Sequence, residues 1–299
     1  MTFYIHVHSG LSNKLIPLLS LLRIGRIEKK NIECYWGAGG YSNHNYQFLD
    51  LFKEIKNVKF INELKFKKKF KSNNYKIYNI TGSDKNKKEA IYNSSNESAI
   101  FYKIVHLISY KNDNIKNKYI PYPREKIFQN NLIKELRLII KELKPIDKIL
   151  EKVQNVTKLF ENKKVVGLHC RCSEVAYNDK IKISKNPWDK INFSQIYNLI
   201  EKYINMNYKI YLSCDNSENE TILLNKYKNN IIIFNNPFGN TYKDKFNRLS
   251  FGQINAVCEL FILSKCTVFF GTPSSSFSFM VWLLRNDNEL NFWCDDPWK

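Results

Sequence analysis

The sequence predicts an α/β protein made of two parallel-sheet domains. Three observations lead there. From residue 164 onward, β-rich apolar runs alternate with amphipathic segments over short connections. Those runs are continuously apolar rather than alternating, the mark of strands covered on both faces. The chain also opens on a strand–loop–helix pattern, and 299 residues suffice for two domains of about 150 each.

The C-terminal half reads most clearly. Strands are expected at Lys164–His169, Tyr208–Ser213, Asn230–Phe234 and Thr267–Phe270. Helices are expected at Phe193–Ile204, Glu218–Tyr227, Ser250–Ser264 and Ser274–Leu284. The N-terminal half starts with a strand at Phe3–His8, then Gly10-Leu11-Ser12-Asn13, then a helix from about Lys14 to Arg26. Pro17 is placed near its first turn, where a missing N–H matters least. The stretch from Lys56 to Pro123 is polar and lysine-rich, with Lys76–Ile80 a candidate strand. Glu125–Glu142 reads as an amphipathic helix, Pro145 interrupts it, and a second helix runs to about Leu159. The domain boundary is expected just before Lys164, and no repeat of solenoid period is visible.

Composition narrows the function classes. No apolar run approaches the ~18 residues of a membrane span, and no signal peptide is recognisable. A cytosolic protein is expected. The net charge of +19 comes from forty lysines and only seven arginines. Nucleic-acid readers favour arginine for its planar fork, so nucleic-acid binding is the less favoured alternative. A lysine-rich surface also fits peripheral contact with an anionic membrane. The densest cluster, Lys65, Lys67, Lys68, Lys69 and Lys71 with Phe66 and Phe70 between, reads as a lipid-facing patch or a lysine-protected edge strand. The seven cysteines contain no CxxC pair, and no histidine spacing matches a metal motif, so reduced thiols and no metal site are expected.

Ligands of parallel α/β sheets bind beyond the C-terminal strand ends. After the strand at 164–169 stands Arg171, either a diphosphate-binding cation or a surface arginine. After the strand at 267–270 comes Gly271-Thr272-Pro273-Ser274-Ser275-Ser276. Its hydroxyls at a helix start either cap the helix or bind phosphate. Asp215 can hold a ribose or cap the next helix. Glu259 can accept the N1–H and N2–H₂ of guanine or lie on the surface. The N-terminal loop is neither GxGxxG nor GxxxxGK[ST], which argues against a dinucleotide dehydrogenase and a P-loop enzyme. The chain also lacks a DxD triplet.

These blocks together resemble the fucosyltransferase superfamily of α-1,2-, α-1,6- and protein O-fucosyltransferases. Gly10-Leu11-Ser12-Asn13-Lys14 is similar to its G-L-G-N-[RQ] start, and His169-Cys170-Arg171-Cys172-Ser173-Glu174 to H-x-R-R-x-D. Tyr211–Asn216 resembles the second block, and Glu259–Ser278 the third, the strongest match. The blocks keep the family's order and spacing, while the middle third matches nothing.

The resemblance implies two Rossmann-like domains facing across a cleft (GT-B-like). Residues 1–160 would be the acceptor-side domain and 161–299 the GDP domain, with the tail of Trp293, Asp295, Asp296 and Trp298 packing back on the first. It implies a metal-independent, inverting transfer of fucose or a related sugar from a GDP-sugar to a glycan acceptor, in surface polysaccharide or lipopolysaccharide synthesis at the inner membrane face. Arg171 would bind the β-phosphate. His169 and Glu259 would contact the guanosine, and Asp215 a nearby donor group. Thr272, Ser274, Ser275 and Ser276 would serve the phosphates. Gly10, Asn13 and Lys14 would approach the donor from the other domain. The acceptor's proton would go to Asp179 or Glu174, and the loop 175–187 with Trp188 would border the acceptor. Cys172 replaces the family's second arginine, and Glu174 and Glu259 replace aspartates. Those departures open the sugar to another GDP-linked deoxysugar or a heptose. A non-catalytic GDP- or glycan-binding relative is the alternative.

Overall fold

The computed structural model describes residues 2–7, 10–37, 47–70, 76–79, 91–92, 99–104, 109–110, 131–171, 194–215, 217–234, 242–243, 249–250, 253–273, 275–285, 287 and 290–294. The chain divides into two compact units, 1–121 with 129–146, and 122–128 with 147–299.

The first unit opens with β1 (Thr2–Val7), α1 (Leu11–Ile27), β2 (Asn31–Trp36), β3 (Val58–Ile61) and α2 (Glu63–Phe70). It continues with β4 (Lys76–Asn79), β5 (Ile91–Tyr92), β6 (Ala99–Ile104), β7 (Ser109–Tyr110) and α3 (Asn131–Ile140). Five strands form a sheet in the order β3-β2-β1-β6-β4, every neighbouring pair parallel. The short β5 and β7 pair separately. On one face, α1 packs so closely that a Cβ on Gly25 would lie 3.2 Å from Ile32. On the other, Phe66 of α2 joins Tyr4 and Ile61 in a buried cluster. Arg23 of α1 pairs with Glu135 of α3.

Three local expectations change here. α1 begins at Leu11, three residues before the expected start, so Pro17 falls inside the helix, past its first turn. Leu11, Leu15, Ile16 and Leu18 all bury against the core, and that burial carries the helix through the proline. Lys65, Lys67, Lys68 and Lys69 lie in α2 rather than an edge strand, and Lys71 lies outside the described residues. The Asn62 side chain accepts the Lys65 N–H at 2.9 Å, Glu63 and Lys67 pair one turn apart at 2.7 Å, and Phe66 is buried. β2 and β3 are strands the sequence reading did not assign: Glu33 and Lys59 interrupt their apolar runs. Parallel pairing of β2 to β1 and of β3 to β2 decides them, and Lys65 meets Glu33 at 3.0 Å.

The second unit contains α4 (Asp147–Thr157), β8 (Val165–Cys170), α5 (Ser194–Asn205), β9 (Lys209–Cys214), α6 (Ser217–Tyr227) and β10 (Ile231–Ile233). Then come β11 (Tyr242–Lys243), β12 (Leu249–Ser250), α7 (Gln253–Ser264), β13 (Val268–Gly271), α8 (Ser276–Arg285) and β14 (Asn291–Phe292). The sheet runs β10-β9-β8-β13-β14, all parallel, with β11 and β12 an antiparallel pair apart. This is the 3-2-1-4-5 order of doubly wound sheets, with the switch point between β8 and β13.

β8 is buried at all six positions, as a strand covered on both faces must be. Its even-numbered residues, Val166, Leu168 and Cys170, pack with Ile196 and Ile200 of α5 and Leu223 of α6. Its odd-numbered residues face α7 and α8: a Cβ on Gly167 would lie 2.9 Å from Cys266 Sγ, and His169 meets Ser278. α4 belongs to this unit because it packs against α7, whereas the sequence reading placed the division at 160/161. Trp293 packs in this unit's own core. Of the tail, residues 295–299, including Asp295, Asp296 and Trp298, lie outside the described residues. Among the described residues, no helix is long and apolar enough to cross a membrane.

Candidate donor site at the switch point

The C-terminal ends of β8 and β13 are tied together by one hydroxyl. Thr272 Oγ1 donates to His169 O at 2.7 Å and accepts the Arg171 backbone N–H at 3.0 Å. Trp293 Nε1 points at both His169 O and Thr272 Oγ1, 3.0 Å from each. Thr272 is fully buried, and its single proton is committed to His169 O. It therefore clamps two strand ends and does not donate to phosphate as expected. Arg171, half-buried, starts from this clamp just past β8.

A second knot lies beside it. Ser278 Oγ accepts the Thr272 N–H at 3.0 Å and lies 2.8 Å from His169 Nδ1. The imidazole is also 4.8 Å, centroid to centroid, from the Phe277 ring. Burial, then the Arg171 guanidinium, pushes His169 down to about 3. The ring is therefore neutral near pH 7, and its ring nitrogens act as one donor and one acceptor. Gly271 allows the close approach: a Cβ there would meet Ser278 Cβ at 2.7 Å.

α8 starts at Ser276, and Ser275 caps it, its Oγ accepting the Ser278 N–H at 3.4 Å. Ser275 is buried and Ser276 half-buried at this helix start. Ser274 lies outside the described residues. The helix start contributes N-terminal N–H groups at the switch point, where the Arg171 backbone is tied to Thr272.

One strand over, parallel pairing sets Ser213 beside His169. Ser213 Oγ donates to Glu259 Oε2 at 2.6 Å, so His169 and Glu259 converge on the same sheet face through Ser213. Burial pushes Glu259 up to about 8; the Ser213 bond opposes the rise, and Glu220 and Asp215 add to it. Asp215 is half-buried at the end of β9, its N–H bonded to Cys170 O at 3.2 Å. The expected bases Asp179 and Glu174, with Cys172 and Trp188, lie outside the described residues. Among the described residues, no group of three His, Cys, Asp or Glu could hold a metal ion.

In the first unit, Gly10 is the extended N-cap of α1, with no side-chain cap. Asn13 and Lys14 lie in the first turn rather than in a loop. The Lys14 ammonium is fully buried, 4.9 Å from the Trp36 ring centroid and with no hydrogen-bond partner among the described residues. Burial pulls it down to about 8.

Ser213, Ser278 and Trp293 were missed as site residues. Ser278 had a sequence signal as the last hydroxyl of the serine-rich run. Ser213 and Trp293 are recruited only by strand pairing.

The second unit is thus a doubly wound α/β sheet with a polar site at its switch point, the usual ligand position of that class. No family model and no curated protein matches the sequence. Solved structures do match the fold. The fucosyltransferase NodZ from Bradyrhizobium aligns with a TM-score of 0.60 at 13% identity, over 94% of this chain and 91% of that one. NodZ α-1,6-fucosyltransferase soaked with GDP-fucose gives 0.59 at 13% identity, over 94% and 92%. A mutant of Arabidopsis thaliana FUT1 in complex with GDP gives 0.51 at 13% identity, over 94% and 68%. The chain has the mixed α/β, parallel-sheet fold of these fucosyltransferases, and the resemblance drawn from the four sequence blocks holds at the level of the fold.

Proposed function

We propose that the chain is a glycosyltransferase that moves fucose, or a related sugar, from a GDP-sugar to a glycan acceptor, with inversion and without a metal. The observation that carries this reading is the Thr272 clamp, which sets Arg171 and the start of α8 together at the switch point of a fucosyltransferase-like fold. Of the similar structures, NodZ was soaked with GDP-fucose and the FUT1 mutant is in complex with GDP.

In the proposed reaction the acceptor oxygen attacks the anomeric carbon and the bond to the β-phosphate breaks. The acceptor's proton passes to Asp179 or Glu174. Arg171 and the α8 start, with Ser274, Ser275 and Ser276, offset the charge on the departing GDP. Glu259, as carboxylate, accepts the guanine N1–H and N2–H₂, and His169 and Asp215 border the nucleoside. Gly10 and Asn13 are the first unit's contribution, because the Lys14 ammonium is fully buried. The acceptor belongs to a surface glycan, and the work is done at the cytoplasmic membrane face, where the lysine excess favours anionic lipid.

The test is a thermal-shift titration with GDP, UDP, ADP and CMP, with and without EDTA. A GDP-selective rise in Tm that survives EDTA and is lost in Arg171→Ala supports the reading. Turnover of GDP-fucose with a glycan acceptor then completes it. No shift with any nucleotide would remove Arg171 and the α8 start from a donor site.

A further inference from the structure

The first unit holds a cavity of about 310 Å³ at the end of its sheet opposite the α1 N-terminus. Its floor is apolar, Leu22 and Ile32. Arg26, Lys29, Lys30 and Lys56 line it with Asn31 and Asn57, and among the described residues no carboxylate does. From Lys14 to Arg26 the helix rises roughly 18 Å, at about 1.5 Å per residue. The cavity is therefore separate from Gly10, Asn13 and Lys14.

The walls are built in advance. Lys30 N–H bonds to Gly25 O at 2.7 Å and Lys29 N–H to Arg26 O at 3.3 Å, closing α1 in a Schellman turn. Asn57 O, on the opposite wall, accepts the Ile32 N–H at 3.0 Å. Both walls carry a left-handed residue, Lys29 at φ 51 and Asn57 at φ 66. Asparagine tolerates that conformation, and glycine usually holds the helix-end position. A lysine there keeps a cation on the rim at a backbone cost. Glu142, two residues past α3, pairs with Arg26, so the lysines supply the rest of the cavity's positive charge over its apolar floor.

We propose that this cavity is a second ligand site, which binds a phosphoryl group carried on a small or lipidic body. Phosphate oxygens meet Lys29, Lys56 and Arg26, and the body rests on Leu22 and Ile32. The site goes beyond the glycosyl-transfer reading and does not depend on it.

Lysine acylation footprinting, read residue by residue by mass spectrometry on the full chain, tests it. With inorganic pyrophosphate as probe, acylation of Lys29 and Lys56 should slow at least fivefold and saturably. The exposed Lys158 and Lys163 should change less than twofold. Lys29→Glu should abolish protection at Lys56, whereas the charge-matched Lys158→Glu should keep it. A second arm replaces pyrophosphate with vesicles of phosphatidylglycerol or of phosphatidylcholine. Protection by phosphatidylglycerol vesicles but not by pyrophosphate makes the ligand a lipid headgroup; the reverse makes it a soluble phosphate compound. Equal slowing at all four lysines, or no protection by either probe, overturns the proposal.

Discussion

Replacing Thr272 by valine keeps the side-chain shape nearly constant and removes one oxygen. That oxygen joins β8, β13 and Trp293: it donates to His169 O, accepts from Arg171 N and lies within reach of Trp293 Nε1. Trp293 Nε1 and His169 O still have each other at 3.0 Å. The uncompensated loss is therefore the acceptor for the Arg171 N–H, at a site where Thr272 is fully buried. Taking the partner from a buried backbone donor costs about 1–3 kcal/mol. For a unit of this size, about 2 kcal/mol lowers Tm by roughly 4–8 °C. Thr272→Ser, which keeps the hydroxyl, should recover most of that loss. Urea unfolding of the three proteins measures the difference, and a GDP titration reads the site, since Arg171 starts from the clamp. The prediction is a valine variant about 2 kcal/mol less stable with weaker GDP binding. Stability within about 0.5 kcal/mol of wild type, with unchanged GDP affinity, would refute the clamp.

Gly271→Ala pushes a methyl to 2.7 Å from Ser278 Cβ, an atom fixed to the helix. Overpacking of this kind costs about 1–3 kcal/mol, so urea unfolding should show that loss, and an unchanged midpoint would contradict the close strand–helix contact. GDP affinity should depend on pH through Glu259, which is protonated below about 8 in the free protein while guanine needs the carboxylate. Calorimetric Kd should then tighten about tenfold per pH unit as pH rises toward 8, and Glu259→Gln should flatten the slope; equal slopes would exclude Glu259 as the base reader. Lys14 has its folded pKa near 8 against an ordinary 10.5, so the unfolded chain binds the extra proton and stability should rise between those pH values. Lys14→Met should therefore stabilise the protein by about 3 kcal/mol at pH 7, a gain that shrinks toward pH 10.5, as denaturation at both pH values will show; an equal gain at both would mean packing, not charge, is responsible.

The readable part of the sequence was its periodicity. β8, β9 and β13 are continuous apolar runs between helices with a definite apolar face, and their positions agree with the structure to within about two residues, the usual scatter of element ends. The polar residues just past those strands marked the site because chain direction alone puts them at the sheet's C-terminal edge. β2 and β3 were not readable. Their charged residues break the local pattern, and pairing of β2 to a buried β1, then of β3 to β2, overrides it. Pro17 misled for a similar reason, because burial of the helix around it outweighs a lost hydrogen bond.

What the sequence determined by itself was the class of fold and the set of residues at the strand ends, since both follow from local hydrophobicity and chain order. The tertiary structure decided what those residues do. Thr272 has one proton, and only the proximity of His169 O shows that it is used inside the clamp. Glu259 is an ordinary carboxylate in sequence, and only its burial beside Ser213, Glu220 and Asp215 makes it a weak acid. The basic cavity joins the end of α1 to the turn before β3, about thirty residues apart in the chain. Hydrogen-bond partners, desolvation and cavities are relations between distant segments, so they arise only once the sheet has been assembled.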